Sequence, residues 1–171
     1  LVDGAQSIGY TSVNMERDKI NLLAVAPHKG LHAPQGAGML LIRKATVRPF
    51  RYGGTGTESA KPQPTEPPEA LESGTLPTPA IAGLNAALKY TAENGEENRK
   101  RLNGLFYYTM GELSKISGVR LYTRKEYGGP IIAFTVRGMT SAEAGNILAD
   151  EYDICVRTGL HCAPLAHKHY G

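Results

Sequence analysis

Cysteine is scarce in this chain: Cys155 and Cys162 are the only two in 171 residues, too few for a disulfide scaffold. Long apolar runs are missing as well. No stretch approaches the roughly 18–20 residues that a membrane-spanning helix needs, and the first residues do not form a basic leader. Nor is there an excess of either charge, since the formal net charge is only +3. The one dense positive cluster, Arg99, Lys100 and Arg101, fits a single exposed helical face, so neither nucleic acid nor a membrane is indicated as a partner. What these absences leave is an ordinary globular composition, suited to a reducing compartment and expected to be cytoplasmic.

Strand and helix signals alternate along the chain. Residues 1–3, 22–26 and 37–42 read as short apolar strands, and residues 48–76 form a Gly-, Pro-, Ser- and Thr-rich irregular stretch. Such a stretch usually means a functional loop or a linker. A helix follows, with Thr78 as its cap and Pro79 in its first turn. Ile81, Leu84 and Leu88 recur at helical spacing, and Asn94 and Gly95 are expected to stop it. A second helix is expected over 96–116, although Gly104 and Gly111 each cost it roughly 1 kcal/mol against alanine. Residues 119–122 and 131–136 read as strands. Thr140 and Glu143 make a capping box for a helix anchored by Ile147 and Leu148. A last strand is expected over 154–157, with Cys155 as a small buried core residue. The expected fold is therefore α/β: a mainly parallel-sheet part over 1–77, a linking helix over 78–95 and an α+β part over 96–171. "LVDGAQ" opens like the tail of a strand and "HCAPLAHKHYG" closes in a loop, so the whole protein is expected to extend in both directions.

The chemistry gathers where strands end. Lys29, in "AVAPHKGLHAPQGAG", sits just past the carboxyl end of an expected parallel strand, the edge where open α/β sheets bind ligands. A lysine there can lose its proton and form a Schiff base with a carbonyl. Asp3 ends the preceding strand on the same edge. A lysine for an aldehyde and an acid for a pyridinium nitrogen are what pyridoxal phosphate requires of a protein. Gln6 could then bond the ring hydroxyl, while His28 could orient the phosphate or the lysine, or simply pack under its loop. "GGTG", with Gly54 and Thr55, has a composition that suits a phosphate, although by itself it reads more readily as a plain turn. In "VRTGLHCAPLAHK", Arg157 can grip a carboxylate, and Cys162 lies near positive charge in a loop, conditions that favour a nucleophilic thiolate.

Taken in order, "VDGAQ", "PHKG…PQGAG", "YGGTG", "ESGTLPTPAIAGL" and "VRTGLHCAPLAHK" resemble the cysteine desulfurases of the class V aminotransferase group, with the short "RTGLHCA" loop similar to the branch that includes sulfur-assembly desulfurases and selenocysteine lyases. The resemblance implies part of the large domain of a fold type I pyridoxal phosphate enzyme, followed by a truncated small domain. It implies that Lys29 holds the cofactor and moves the proton at the substrate's α-carbon, that Asp3 and Gln6 face the ring, and that His28 contacts the phosphate. Gly54 and Thr55 would reach the phosphate of a neighbouring subunit, which implies a homodimer. Arg157, with His161 beside it, would bind L-cysteine, and Cys162 would take its sulfur as a persulfide for a sulfur-acceptor protein, as in iron–sulfur cluster assembly.

The chain also departs from that pattern. Ala26 stands where the family commonly has a phosphate-binding Ser or Thr, and His32 where a small residue or glycine is usual. The family's amino-terminal half has no counterpart, so these residues by themselves are not expected to be a competent enzyme. Selenocysteine lyase, or another class V aminotransferase or epimerase, is the alternative within the same chemistry. A zinc module built from Cys155, His161, Cys162, His167 and His169 is the alternative outside it, with irregular spacing and no paired C-x-x-C.

Overall fold

Alternating burial along Leu22–Val25 makes this run a strand, β2, with Leu23 and Val25 facing inward. In the computed structural model, which describes residues 1–44, 46–54, 60 and 62–170, β1 (Val2–Asp3) pairs with β2 in parallel, Asp3 opposite Ala24. The third strand, β3 (Met39–Ile42), pairs on the other side of β2 and runs antiparallel, Met39 opposite Val25. The parallel character expected of this region therefore holds for β1, which carries Asp3, and β2, which leads into the loop of Lys29, and an antiparallel strand flanks them, a common arrangement in α/β sheets.

Leu23, Val25 and Leu31 form the buried cluster under this sheet, with Ile8, Val13, Met15, Ile20 and Met39 packed around it. Each fully buried aliphatic side chain of this kind contributes about 1.5–3 kcal/mol relative to exposure. The connection from β1 to β2 is held by polar turns. Asn14 Oδ1 accepts from the amides of Glu16 and Arg17, each at 3.0 Å, and the Asn14 amide donates to Asp18 at 2.9 Å. The hydrogen-bonded Arg17 guanidinium is the main reason that the Asp18 carboxyl is held down at about 2.

The chain divides into two compact units, Leu1–Arg99 and Lys100–Gly171. A single helix, α1 (Thr78–Leu113), contributes to both, which corrects the expectation that Asn94 and Gly95 would end one helix and begin another. A glycine stops a helix by taking a left-handed conformation, and Gly95 is not among the residues that do so. Asn94 instead donates its side-chain amide to Tyr90 O at 3.0 Å, and Arg99 pairs with Glu96 at 2.8 Å one turn on. Gly104 and Gly111 are also carried inside the helix, with open space where a Cβ would be. Among the described residues no helix is long and apolar enough to cross a membrane.

The second unit holds an antiparallel pair, β4 (Val119–Leu121) and β5 (Phe134–Val136), with Val119 opposite Val136. Helix α2 (Ser141–Tyr152) packs on β5, and Phe106 and Met110 of α1 are buried in this unit. The capping box expected at Thr140 and Glu143 is formed. Thr140 Oγ1 accepts from the Glu143 amide at 3.2 Å, and Glu143 Oε2 accepts from the Thr140 amide at 2.8 Å. Those bonds from Thr140, the backbone one first, hold the Glu143 carboxyl below its ordinary value. A depressed carboxyl stabilises the fold above its unfolded value, near 4.5, and that contribution is lost as the pH falls through the folded value. The difference in melting temperature between the wild type and Glu143→Gln should therefore be larger at pH 7 than at pH 3. An unchanged gap across that range would show that the box carries no charge-dependent stability.

Three expectations fail at the carboxyl end. Residues 154–157 have no strand partner and form no strand, and Cys155, expected to be buried, is exposed. An apolar run becomes a strand only when another edge satisfies its backbone, and among the described residues none does so here. The "HCAPLAHK" ending does not stay a loop, because Pro164–Tyr170 forms a short helix, α3, with Pro164 at its start and His167, Lys168 and His169 in its last turn. Both placements suit the helix termini.

Candidate functional site

Because β1 and β2 run parallel and in register, their carboxyl ends open on one edge, and the loops that follow both strands meet there. Asp3 ends β1 with its side chain exposed, one oxygen accepting from the Ala5 amide at 2.9 Å. The Gly4 amide donates across to Ala24 O at 2.8 Å, which ties the first loop to β2. Gln6 follows on the exposed side of that loop.

The lysine loop is a sequence of tight turns. Pro27 is fully buried beneath it, Lys29 donates its amide to Ala26 O at 3.2 Å, His32 to Lys29 O at 3.1 Å, and Ala33 to Pro27 O at 3.1 Å. His28 is exposed, not packed under the loop, and Lys29 is half-buried. Leu31 and Ala33 point inward while His32 points out.

A backbone contact clamps the two loops together. A Cβ on Gly30 would stand 2.1 Å from Ile8 O, and one on Gly9 would stand 2.1 Å from Gly30 O. Only glycine fits at either position, and Gly9 also takes φ +94°. Gly30 is the residue next to Lys29, so the clamp holds the lysine's backbone against the loop that begins at Asp3. Gly9 and Gly30 escaped the reading of the sequence, where glycines so far apart give no sign that they touch.

His32 adopts φ +58°, the left-handed region in which glycine is unstrained and other residues cost roughly 1–2 kcal/mol. This explains why glycine would be usual at that position. His32→Gly is expected to raise the melting temperature by roughly 2–4 °C, the effect of about 1 kcal/mol in a chain of this size. Thermal unfolding checks this, and a lower melting temperature would mean that the imidazole contributes contacts worth more than the strain.

Gly54 lies against the "ESGT" stretch. Its carbonyl accepts from the Gly74 amide at 3.0 Å, Ser73 Oγ donates to Arg51 O at 3.2 Å, and a Cβ on Gly54 would meet Gly74 Cα at 2.8 Å. Two of the motif stretches are thus physically joined. Thr55, the other candidate there, falls outside the described residues. A concavity of about 430 Å³ lies nearby, lined by Leu40, Arg48, Phe50, Arg51, Leu71 and Ser73 among others, and none of the candidate residues lines it.

Within the second unit, Arg157, His161 and Cys162 share one exposed loop between α2 and α3. Its backbone is unusual: Gly159 has φ +83°, His161 +51° and Cys162 +60°. Two successive non-glycine residues in the left-handed region are strained, and strain of this kind concentrates at functional sites. Cys162 is a free, exposed thiol. Among the described residues no group of three or more His, Cys, Asp or Glu comes together to hold a metal ion, so the zinc alternative has no support in the geometry.

A family model described as aminotransferase class-V matches residues 1–171. A cysteine desulfurase of Pectobacterium carotovorum is 33% identical over 184 residues, covering 100% of this chain and 43% of that protein. Among solved structures, the apo cysteine desulfurase of Thermococcus onnurineus superposes with a TM-score of 0.84 at 31% identity, covering 98% of this chain and 44% of that one. CsdA, a cysteine desulfurase of Escherichia coli, superposes with a TM-score of 0.81 at 26% identity, covering 94% and 41%. The chain therefore spans about two-fifths of the length of these relatives.

Proposed function

Since this chain belongs to the class-V aminotransferase family, with the fold of fold type I pyridoxal phosphate enzymes, we propose that the whole protein of which these residues are a part is a cysteine desulfurase. It converts L-cysteine to L-alanine and passes the sulfur, held on Cys162, to an acceptor protein. The observation that carries this reading is that Asp3 at the end of β1 and Lys29 in the loop after β2 lie on segments clamped together through Gly9 and Gly30.

Those residues fit pyridoxal phosphate. Asp3 has one oxygen engaged by its own loop, and the other has no partner among the described residues, so a carboxylate is left to face a ring nitrogen. Lys29 supplies the amine for the aldehyde, and the clamp at Gly30 fixes the backbone from which it reaches. Pyridoxal phosphate held there would supply a sink for the electron pair released at the substrate's α-carbon.

The chain's own residues account for the remaining steps. Lys29 takes the α-proton and later returns one. Gln6 and His28, both on exposed loop positions, bond the ring oxygen and the phosphate, and Gly54 with Thr55 serves the phosphate of a partner subunit in a homodimer. Ala26 offers no hydroxyl, so holding the phosphate would fall to other groups, His28 among them. Arg157 binds the α-carboxylate by a bidentate pair, with His161 beside it.

Cys162 attacks the sulfur of L-cysteine as a thiolate. An S–S bond forms, the C–S bond breaks with its electron pair left on carbon, and protonation there gives alanine. The enzyme keeps a persulfide, and no outside oxidant is needed. Exposure of Cys162 supports onward transfer to a partner. Two free thiols support a reducing, cytoplasmic setting. Residues 1–77 are the last part of the cofactor-binding large domain, α1 leads out of it, and the remainder belongs to a truncated small domain.

Rates on L-cysteine, L-selenocysteine and a 2-oxo acid, compared on the whole protein loaded with pyridoxal phosphate, test the proposal. L-Cysteine turnover with stoichiometric alanine supports it. Activity on L-selenocysteine alone would make the protein a selenocysteine lyase, and transamination with neither would remove Cys162 from the chemistry.

A further inference from the structure

Helix α2 meets the loop carrying Arg157 and Cys162 at a point where no side chain fits. A Cβ on Gly145 would stand 2.4 Å from Thr158 Cγ2 and 3.6 Å from Val156 Cγ2. Gly145 is buried within α2, whereas the loop beyond Asp153 is exposed throughout. One turn earlier on the helix, Ser141 Oγ accepts from the Gly159 amide at 3.3 Å. These two contacts hold Thr158 and Gly159, the residues that immediately follow Arg157.

Among the described residues the loop has little else to hold it. It joins no strand ladder among the described residues, and its backbone turns through left-handed conformations at Gly159, His161 and Cys162. A strained, exposed loop keeps one geometry only if something rigid over-determines it. Helix α2 is anchored at its start by a capping box with both arms made.

We propose that Gly145 and Ser141 are positioning residues. They seat Thr158 and Gly159 on α2 and so set where Arg157 meets the substrate carboxylate and where Cys162 meets its sulfur. The proposal rests on the desulfurase reading for its substrate, although the contacts themselves do not depend on it. A displacement of about 1 Å at a reacting centre can cost 10²-fold in rate, and an added Cβ at Gly145 cannot be accommodated without a shift.

The test is made on the whole protein loaded with pyridoxal phosphate. Gly145→Ala is expected to raise KM for L-cysteine and to lower kcat/KM by about 10- to 100-fold, with cofactor labelling of Lys29 unchanged. Thr158→Ser removes the methyl group that the new Cβ would strike, so the double variant Gly145→Ala/Thr158→Ser should return to within about threefold of wild type. A merely structural role would lower the melting temperature and leave KM for L-cysteine unchanged, so that removing the methyl would restore stability alone. If Gly145→Ala fails to fold, Ser141→Ala serves instead, with KM rising about fivefold, the worth of one neutral hydrogen bond.

A second readout is independent of turnover. In a Cys155→Ser background, the rate of Cys162 alkylation by iodoacetate relative to iodoacetamide reports how Arg157 is placed toward the thiol. Gly145→Ala should lower that ratio and Thr158→Ser should restore it. If the wild type does not act on L-cysteine but the ratio and its rescue hold, the positioning stands and the desulfurase reading falls. If Gly145→Ala changes neither KM nor the ratio, or the double variant is not rescued, the inference is overturned.

Discussion

Replacing Lys29 by alanine in the whole protein is expected to abolish covalent attachment of pyridoxal phosphate and to cut turnover of L-cysteine by on the order of 10²–10⁴-fold, the usual worth of a positioned general acid–base group. The loss should be chemical, not structural. Lys29 is half-buried, its loop is held by backbone bonds from the Lys29, His32 and Ala33 amides, and its side chain anchors none of them. Borohydride reduction of the loaded wild type, followed by peptide mapping, should place the cofactor on Lys29. The same treatment of Lys29→Ala should leave that peptide unmodified while the protein melts within a few degrees of wild type. Cofactor fixed on another lysine would remove the role given to Lys29, and with it the pairing of Asp3 with the ring.

Cys162→Ser is expected to keep the cofactor on Lys29 and to lose desulfuration of L-cysteine by about 10³-fold or more, as when one member of a nucleophilic unit is removed. A serine hydroxyl matches the thiol in shape, so the left-handed backbone at φ +60° is unaltered, and only the nucleophile changes. The product to measure is the persulfide. After one turnover with L-cysteine, mass spectrometry of the wild type should find one added sulfur atom on the Cys162 peptide, and none in Cys162→Ser. Cys155 is the control that the structure supplies, since it is also free and exposed. Should the added sulfur appear on Cys155, or should Cys162→Ser turn over normally, the group assigned to sulfur transfer is the wrong one.

Much of this was legible before any coordinates. The apolar run at 22–26 ending in "PHKG" located a strand, its carboxyl edge and a lysine beyond it, because a short buried strand has few other ways to satisfy its backbone and its side chains. Thr140 and Glu143 announced a capping box through spacing alone. Arg157, His161 and Cys162 were found together because the loop that carries them is short. Local chemistry acts over a few residues, and a sequence displays it directly.

The helix α1 shows where such reading stops. Asn94–Gly95 has the composition of a terminus, yet a terminus needs Gly95 in a left-handed conformation. The side-chain bond from Asn94 to Tyr90 O and the Glu96–Arg99 pair favour continuation. Cys155 went the same way, since the run from Ile154 to Arg157 has the apolar character of a strand and no edge to pair with.

By itself, then, the sequence determined which residues could carry chemistry, that they stand at strand ends and in loops, and where α2 begins. Only the tertiary structure decided that Gly9 and Gly30 clamp the Asp3 and Lys29 loops together, that His32 takes a conformation suited to glycine, and that Gly145 leaves room for Thr158 beside Arg157. Capping and strand burial are set by neighbours within a few positions. A close backbone approach, or a missing Cβ against a distant methyl, depends on where the rest of the chain has been packed.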